Sequence, residues 1–166
     1  MHATYDYREK ETSVNIRPMT RNDLPEVLSV ELGSFEFPWK KGYFVHCLKQ
    51  QNYVNLVVKY EEEIIGFMIK SGIRLLNLAV RPDWRRREIG TKMIEELIGR
   101  LSLQKIRKRI ITVKVREGNL PVQLFFRKCG FRAINVFHGC YDKTQEDAYL
   151  FYYEYKVSDF LTRITK

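Results

Sequence analysis

Cysteine is scarce in this chain, with Cys47, Cys129 and Cys140 the only three among 166 residues. No two of them form a C-x-x-C pair, and His46 and His138 do not stand at zinc-ligand spacing, so no metal site is expected. Three free thiols fit a reducing compartment. No apolar run approaches the roughly 18 residues that a membrane-spanning helix needs. The segment Met1 to Lys10 is mixed, charged and aromatic and lacks the apolar stretch of a secretory signal. A cytoplasmic protein with no membrane partner is expected. Internal repeats, Pro-rich linkers and low-complexity tracts are missing too. Neither a P-loop, G-x-x-x-x-G-K-[ST], nor a dinucleotide G-x-G-x-x-G is present.

What is present is an ordinary globular composition, 45% hydrophobic and 30% charged, in a chain of about one domain. We place that domain at 13–157, with a disordered N-terminal tail over 1–12 and a C-terminal tail over 158–166. A monomer or weak dimer is expected. The formal net charge of +9 favours polyanionic partners: phosphorylated cofactors, RNA or the ribosome surface. The densest basic runs are Arg85-Arg86-Arg87 and Lys105 to Arg109. No RNA-recognition signature is visible and the aromatics are not interleaved with the basic runs, so nucleic acid is not expected as the primary partner.

Hydrophobic periodicity orders the elements. Val14 to Arg17 reads as a short strand. Asn22 or Asp23 caps a helix bearing Leu24, Val27, Leu28 and Glu31, with Pro25 in its first turn. Trp39 to Gln50 reads as a second helix. Tyr53–Lys59, Ile64–Lys70 and Leu75–Val80 are strands joined by polar turns, an antiparallel meander. A helix follows from Ile89 to Leu101, with Met93, Leu97 and the flanking Ile94 and Ile98 on one face. Ile110–Val115 is a strand. Leu120–Cys129 is a helix closed by Gly130. Phe131–Phe137 and Tyr149–Tyr155 are the last strands. Such an order defines an α/β layered domain with a mixed sheet.

The chemistry concentrates between Leu75 and Ile94. An apolar strand ends at Val80, an Arg-rich turn follows, and a helix starts near Ile89. The N–H groups of a first helical turn are unpaired and carry partial positive charge, which makes an anion site. Gly90 omits a side chain where a ligand would approach, Thr91 adds a hydroxyl, and Arg85, Arg86 and Arg87 add charge suited to phosphates.

The run Leu76-Asn77-Leu78-Ala79-Val80-Arg81-Pro82-Asp83-Trp84-Arg85-Arg86-Arg87-Glu88-Ile89-Gly90 resembles the signature of the GNAT superfamily of acetyltransferases, R/Q-x-x-G-x-G/A after a strand ending V-x-P-x-[YW]. Ile16-Arg17-Pro18-Met19, Val115-Arg116-Glu117-Gly118-Asn119 and Leu124 to Phe131 are similar to further elements of that superfamily. Phe35-Glu36-Phe37-Pro38-Trp39 and Cys140-Tyr141 with Glu146-Asp147-Ala148 resemble its RimI-type branch, which acetylates the N-terminal α-amine of a ribosomal protein. The resemblance implies a mostly antiparallel mixed sheet of six to seven strands with about four helices, splayed between the fourth and fifth strands. It implies acetyl-CoA as cosubstrate and a peptide or protein N-terminus, such as that of a ribosomal protein, as acceptor. The backbone of Leu78, Ala79 and Val80 would align the pantetheine arm. The segment Arg85, Arg86, Arg87, Glu88, Ile89 and Gly90, with Thr91, would hold the pyrophosphate. Asn119 and Phe126 would touch the same cofactor, and Phe37, Trp39 and Tyr141 would line the acceptor mouth. A small-molecule amine acceptor, and a binding module without turnover, are the alternatives.

Three positions depart from the pattern. Glu88 replaces a glycine, and its carboxylate is unfavourable beside a pyrophosphate unless it faces solvent or pairs with Arg85. Lys114 replaces the branch's general-base glutamate. Phe126 replaces the tyrosine that protonates the leaving thiolate. Tyr141 is then the candidate acid; Lys114, if desolvated, and Glu117 or Glu36, acting through water, are candidate bases. Amine chemistry bears on this loss. A peptide α-amine of pKa near 7.7–8.0 is roughly 20% neutral at pH 7.4, whereas a lysine near 10.4 is about 0.1% neutral. A weak base therefore suffices for an α-amine but not for a lysine side chain.

Overall fold

The computed structural model describes residues 13–103, 109–141 and 144–156. The expected tails over 1–12 and 158–166, and all of the Lys105–Arg109 run but Arg109, lie outside the described residues. Seven strands form one sheet in the order β1-β2-β3-β4-β5-β7-β6. These are β1 (Asn15–Pro18), β2 (Tyr53–Tyr60), β3 (Glu63–Ser71), β4 (Arg74–Val80), β5 (Ile110–Arg116), β6 (Arg132–Tyr141) and β7 (Glu146–Glu154). Four α-helices accompany them among the described residues: α1 (Leu24–Ser34), α2 (Lys41–Lys49), α3 (Ile89–Leu103) and α4 (Leu120–Lys128). The expected fold class holds, a mixed and mostly antiparallel α/β sheet.

Two cores lie on opposite faces of the sheet. On one, Ile89, Met93, Ile94, Leu97, Ile98 and Leu101 of α3 pack with Met68, Ile111, Val113, Val115 and Phe151. This is the stripe that the sequence shows at helical spacing, and its burial supplies the main driving force for that layer. On the other face, Leu24, Val27 and Val30 of α1 and Phe44 of α2 close over Val57, Ile64, Phe67 and Ala79. Helices α1 and α2 cover β2–β4, and along β5 the residues Thr112, Lys114 and Arg116 alternate with the core residues Ile111, Val113 and Val115.

Among the described residues only one adjacent strand pair is parallel. Strand β4 runs beside β5 and pairs with it only at Arg74 with Thr112 and Leu75 with Val113. The separation has a local cause. Ile69 of β3 opposes Asn77, but Lys70 opposes Leu75, so Leu76 is an extra residue on β4. Such a bulge bends its strand and re-aims the residues that follow. Beyond Leu75, β4 leaves β5, and a gap opens between the fourth and fifth strands as expected.

The ends of α4 follow their sequence signals, whereas Asp23, at the N-cap of α1, makes no side-chain cap bond to that helix. Asp23 accepts hydrogen bonds from the Thr20 N–H (2.7 Å) and hydroxyl (2.9 Å) just before α1. It also takes both guanidinium arms of Arg17 at 2.7 and 2.8 Å. Asn119 caps α4, its Oδ1 accepting from the Val122 N–H at 3.3 Å. Gly130, at φ +88°, closes that helix, a backbone conformation that glycine reaches without strain.

Three boundaries differ from expectation. Helix α2 starts at Lys41, so Trp39 stands in the preceding turn, where its N–H is held by Glu31 at 2.7 Å. Helix α3 runs on to Leu103. Strands β6 and β7 continue to Tyr141 and from Glu146, with irregular register between Phe137 and Tyr141. Tyr141, read as a loop tyrosine, is a strand-end residue.

Candidate acyl-transfer site

Two clefts meet in the gap between β4 and β5. The larger, of about 750 Å³, is lined by Leu78, Ala79, Val80, Arg85, Arg86, Glu88, Ile89, Gly90 and Thr91 on one side and by Asn119, Pro121, Val122, Leu124, Phe125 and Lys128 of α4 and its cap on the other. The smaller, of about 260 Å³, lies between the turn at Phe35–Trp39, strands β4 and β5, and Tyr141. Phe35, Leu78, Asn119 and Val122 line both, so the two adjoin.

The larger cleft carries features that suit a phosphorylated ligand. Lys92 donates the first α3 bond, to the Glu88 carbonyl at 2.9 Å, so the N–H groups just before it have no partner within the helix. They meet the positive end of α3, where anions bind. The loop leading in bends through two left-handed residues, Arg86 (φ +60°) and Glu88 (φ +59°). Ser34 Oγ, at the end of α1, lines the cleft and is buried with no hydrogen-bond partner among the described residues. Such an orphan polar atom fits a site that a ligand completes.

The three arginines do different things. Arg85 Nε donates to the Val80 carbonyl at 3.0 Å, tying the loop to the end of β4. Arg86 is exposed on the cleft rim. Arg87 stacks over Trp84 at 4.8 Å from the ring centroid and lines neither cleft. Glu88 pairs with Lys128 at 2.9 Å, not with Arg85. That hydrogen bond, with a further one from Thr91, holds its carboxyl below the usual range. Ile89 buries its side chain in the core. A Cβ on Gly90 would stand 3.1 Å from the Phe125 ring, so this glycine lets α4 approach α3.

The smaller cleft gathers Phe37, Trp39, Lys114, Phe126 and Tyr141, all singled out in the sequence. Glu36 and Glu117 are not among its lining. Glu117 instead lends its backbone to the turn after β5, where its carbonyl accepts from Gln123 Nε2 at 2.7 Å. Phe126 is buried against Phe125, Phe131 and Phe151, a hydrocarbon wall with no proton to give. Tyr141 lies under the Arg116 guanidinium, 3.8 Å from its ring centroid. Burial raises the phenol pKa, with Arg116 opposing, so the hydroxyl stays protonated near neutrality. Lys114 is exposed, 4.2 Å from the Phe137 ring and 3.8 Å from Cys140 Sγ. His138 is exposed and reaches Asp147 at 2.7 Å, a local contact.

The sequence reading missed Glu31 as a site residue. It lies at the floor of the smaller cleft, 1% exposed, accepting from the Trp39 N–H at 2.7 Å and Asn77 Nδ2 at 3.0 Å. Burial pushes its pKa up, and those two bonds oppose. Its signal was there: a carboxylate in phase with the buried stripe Leu24, Val27 and Leu28, where an unpaired charge would be costly. Lys128 was missed because its partner, Glu88, is distant in sequence. Among the described residues no three His, Cys, Asp or Glu side chains cluster as metal ligands. No described helix is long and apolar enough to cross a membrane.

A sheet parted between parallel strands, with an anion-binding helix start in the gap, defines a transferase that uses acyl-CoA. Known proteins agree with that geometry. The profile of the acetyltransferase (GNAT) family matches residues 23–131, and the chain belongs to this family. It is an acyl-CoA-dependent N-acetyltransferase, with acetyl-CoA as cosubstrate. The chain is 27% identical over 136 residues to a ribosomal protein bS18-alanine N-acetyltransferase of Salmonella typhimurium, spanning 78% of this chain and 90% of that protein. The fold is similar to that of the ribosomal-protein-S18-alanine N-acetyltransferase of Escherichia coli, with TM-score 0.77, 23% identity and coverage of 86% and 94% of the two chains. It is also similar to Arabidopsis thaliana NAA60 in complex with acetyl-CoA, with TM-score 0.77, 21% identity and coverage of 86% and 100%.

Proposed function

We propose that the protein acetylates the α-amine of a protein N-terminus, with a ribosomal protein as the model acceptor. One observation supports this most: the smaller cleft, lined by Phe37, Trp39 and Tyr141, adjoins the larger one in the gap between β4 and β5. The names of the bS18-directed relative and structural neighbour point the same way.

Acetyl-CoA supplies the activated acetyl thioester. Backbone groups of Leu78 to Val80 hold its arm, and the Arg85–Thr91 segment with Lys128 holds its phosphates. The acceptor nitrogen attacks the thioester carbon; the C–N bond forms, the C–S bond breaks, and the amine proton leaves to water. Tyr141 donates a proton to the departing thiolate sulfur and is reprotonated from solvent. No carboxylate base is required, because an α-amine is partly neutral at physiological pH. Glu31 is a positioning residue in this scheme, holding the Trp39 N–H and the Asn77 amide at the cleft floor.

The test is an acceptor panel read by thiol release: Ala-initiated peptides, the same peptides with blocked amino termini, polyamines, aminoglycosides and free amino acids. Turnover on free-amine peptides and none on blocked ones is expected. Turnover confined to polyamines or aminoglycosides contradicts the reading.

A further inference from the structure

Lys114 stands on the open part of the sheet face, lining the smaller cleft, and among the described residues no ion pair neutralises its charge. Among the described residues its ammonium is in contact with Cys140 Sγ at 3.8 Å and the Phe137 ring at 4.2 Å, and no carboxylate lies within ion-pair distance. The other charged groups lining this cleft are satisfied. Arg116 is paired with Glu146 and hydrogen-bonded to Thr144, and the Glu31 carboxylate takes two amide donors at the floor. At Lys114 the acceptor therefore meets a local positive charge. A low-dielectric cleft focuses such a field.

We infer that the preferred acceptor is an amine bearing a carboxylate a few bonds away, and that Lys114 pairs with that carboxylate. On the proposed N-terminal reading, on which this rests, the carboxylate is an acidic side chain in the first residues of the acceptor; a free amino acid offers the same chemistry through its own carboxylate. The same charge assists the reaction. A cation near the acceptor disfavours the ammonium form and lowers the amine pKa, so more of it is the neutral nucleophile. The Cys140 and Phe137 contacts hold the lysine head without neutralising it.

The experiment compares kcat/KM at low and high salt for peptides beginning Ala-Asp, Ala-Ser and Ala-Lys, and for free aspartate and alanine. The Ala-Asp peptide should exceed Ala-Ser by about fivefold and Ala-Lys by more, with the gap shrinking in high salt. The Lys114→Met variant should lose this ranking, and Lys114→Arg should keep it. Equal rates on all three peptides, or a ranking that survives Lys114→Met, overturn the inference while leaving N-terminal acetylation standing. Turnover of free amino acids but of no peptide keeps the carboxylate recognition and overturns the N-terminal reading. No turnover on any acceptor overturns both.

Discussion

Glu88 and Lys128, which both line the larger cleft, are paired at 2.9 Å, so a cation beside the proposed phosphate-binding loop is occupied. The Glu88 backbone adopts φ +59°, a region where a non-glycine residue is strained by about 1–2 kcal/mol. The substitution Glu88→Gly removes the strain, removes a negative charge and frees Lys128. Acetyl-CoA should bind about fivefold more tightly to this variant by isothermal titration, in the range of one exposed ion pair. Weaker binding would show that the carboxylate has a holding role of its own.

Gly90 is the tightest point of the same loop. With Phe125 3.1 Å from the position of a Cβ, Gly90→Ala already displaces that ring, and Gly90→Glu adds a charge at the anion site. The Glu variant should lose acetyl-CoA binding, with the far-ultraviolet spectrum of the parent retained. Unchanged affinity would remove the phosphate site from this loop.

Glu31 fixes the turn that carries Phe37 and Trp39. Glu31→Ala leaves the Trp39 N–H and Asn77 amide without their acceptor, at a cost of about 1–3 kcal/mol. The acceptor KM should rise while the acetyl-CoA KM stays constant. Glu31→Gln keeps the bond to Trp39, and a turned Asn77 amide can accept from the new NH₂, so this variant should retain the parent acceptor KM. Its pH behaviour should differ. A carboxyl whose folded pKa is raised by burial contributes stability that is present below its unfolded value, near 4.3, and lost as pH rises through the folded value. Glu31→Gln should flatten that slope in thermal melts and be at least as stable as the parent at neutral pH.

The Arg17–Asp23 pair has the opposite sign. The Arg17 guanidinium, with Thr20, holds the Asp23 carboxyl well below the usual range. The stabilisation is present above the unfolded value, about 3.9, and disappears as pH falls through the folded one. Asp23→Asn should cost about 2 kcal/mol at pH 7, and its difference from the parent should shrink below about pH 4.

Much of the fold was legible because its elements obey local rules. The α3 stripe Ile89, Met93, Leu97 and Leu101, the Gly130 stop and the meander β2–β4 follow from periodicity and turn chemistry. The strand–turn–helix that carries the proposed anion site was legible because strand end, Arg-rich turn and glycine are adjacent in sequence. Long-range relations were not. The bulge at Leu76 exists only relative to β3, and the Glu88–Lys128 and Glu31–Asn77 contacts join residues on different elements. Trp39 read as helical because its apolar ring suits the α2 face, yet its N–H is engaged by Glu31 two residues before the helix begins. Tyr141 was legible as a site residue, but its place at the end of β6 was not, because the strand runs past Phe137 through the irregularity at Gly139 (φ +57°).

Tandem mass spectrometry of an Ala-initiated peptide that also contains a lysine, after incubation with the enzyme and acetyl-CoA, tests the central claim most directly. The account predicts one acetyl group, on the α-nitrogen, and a strongly slowed reaction in Tyr141→Phe. Acetyl on the lysine side chain, or an unmodified peptide beside released CoA, would contradict it.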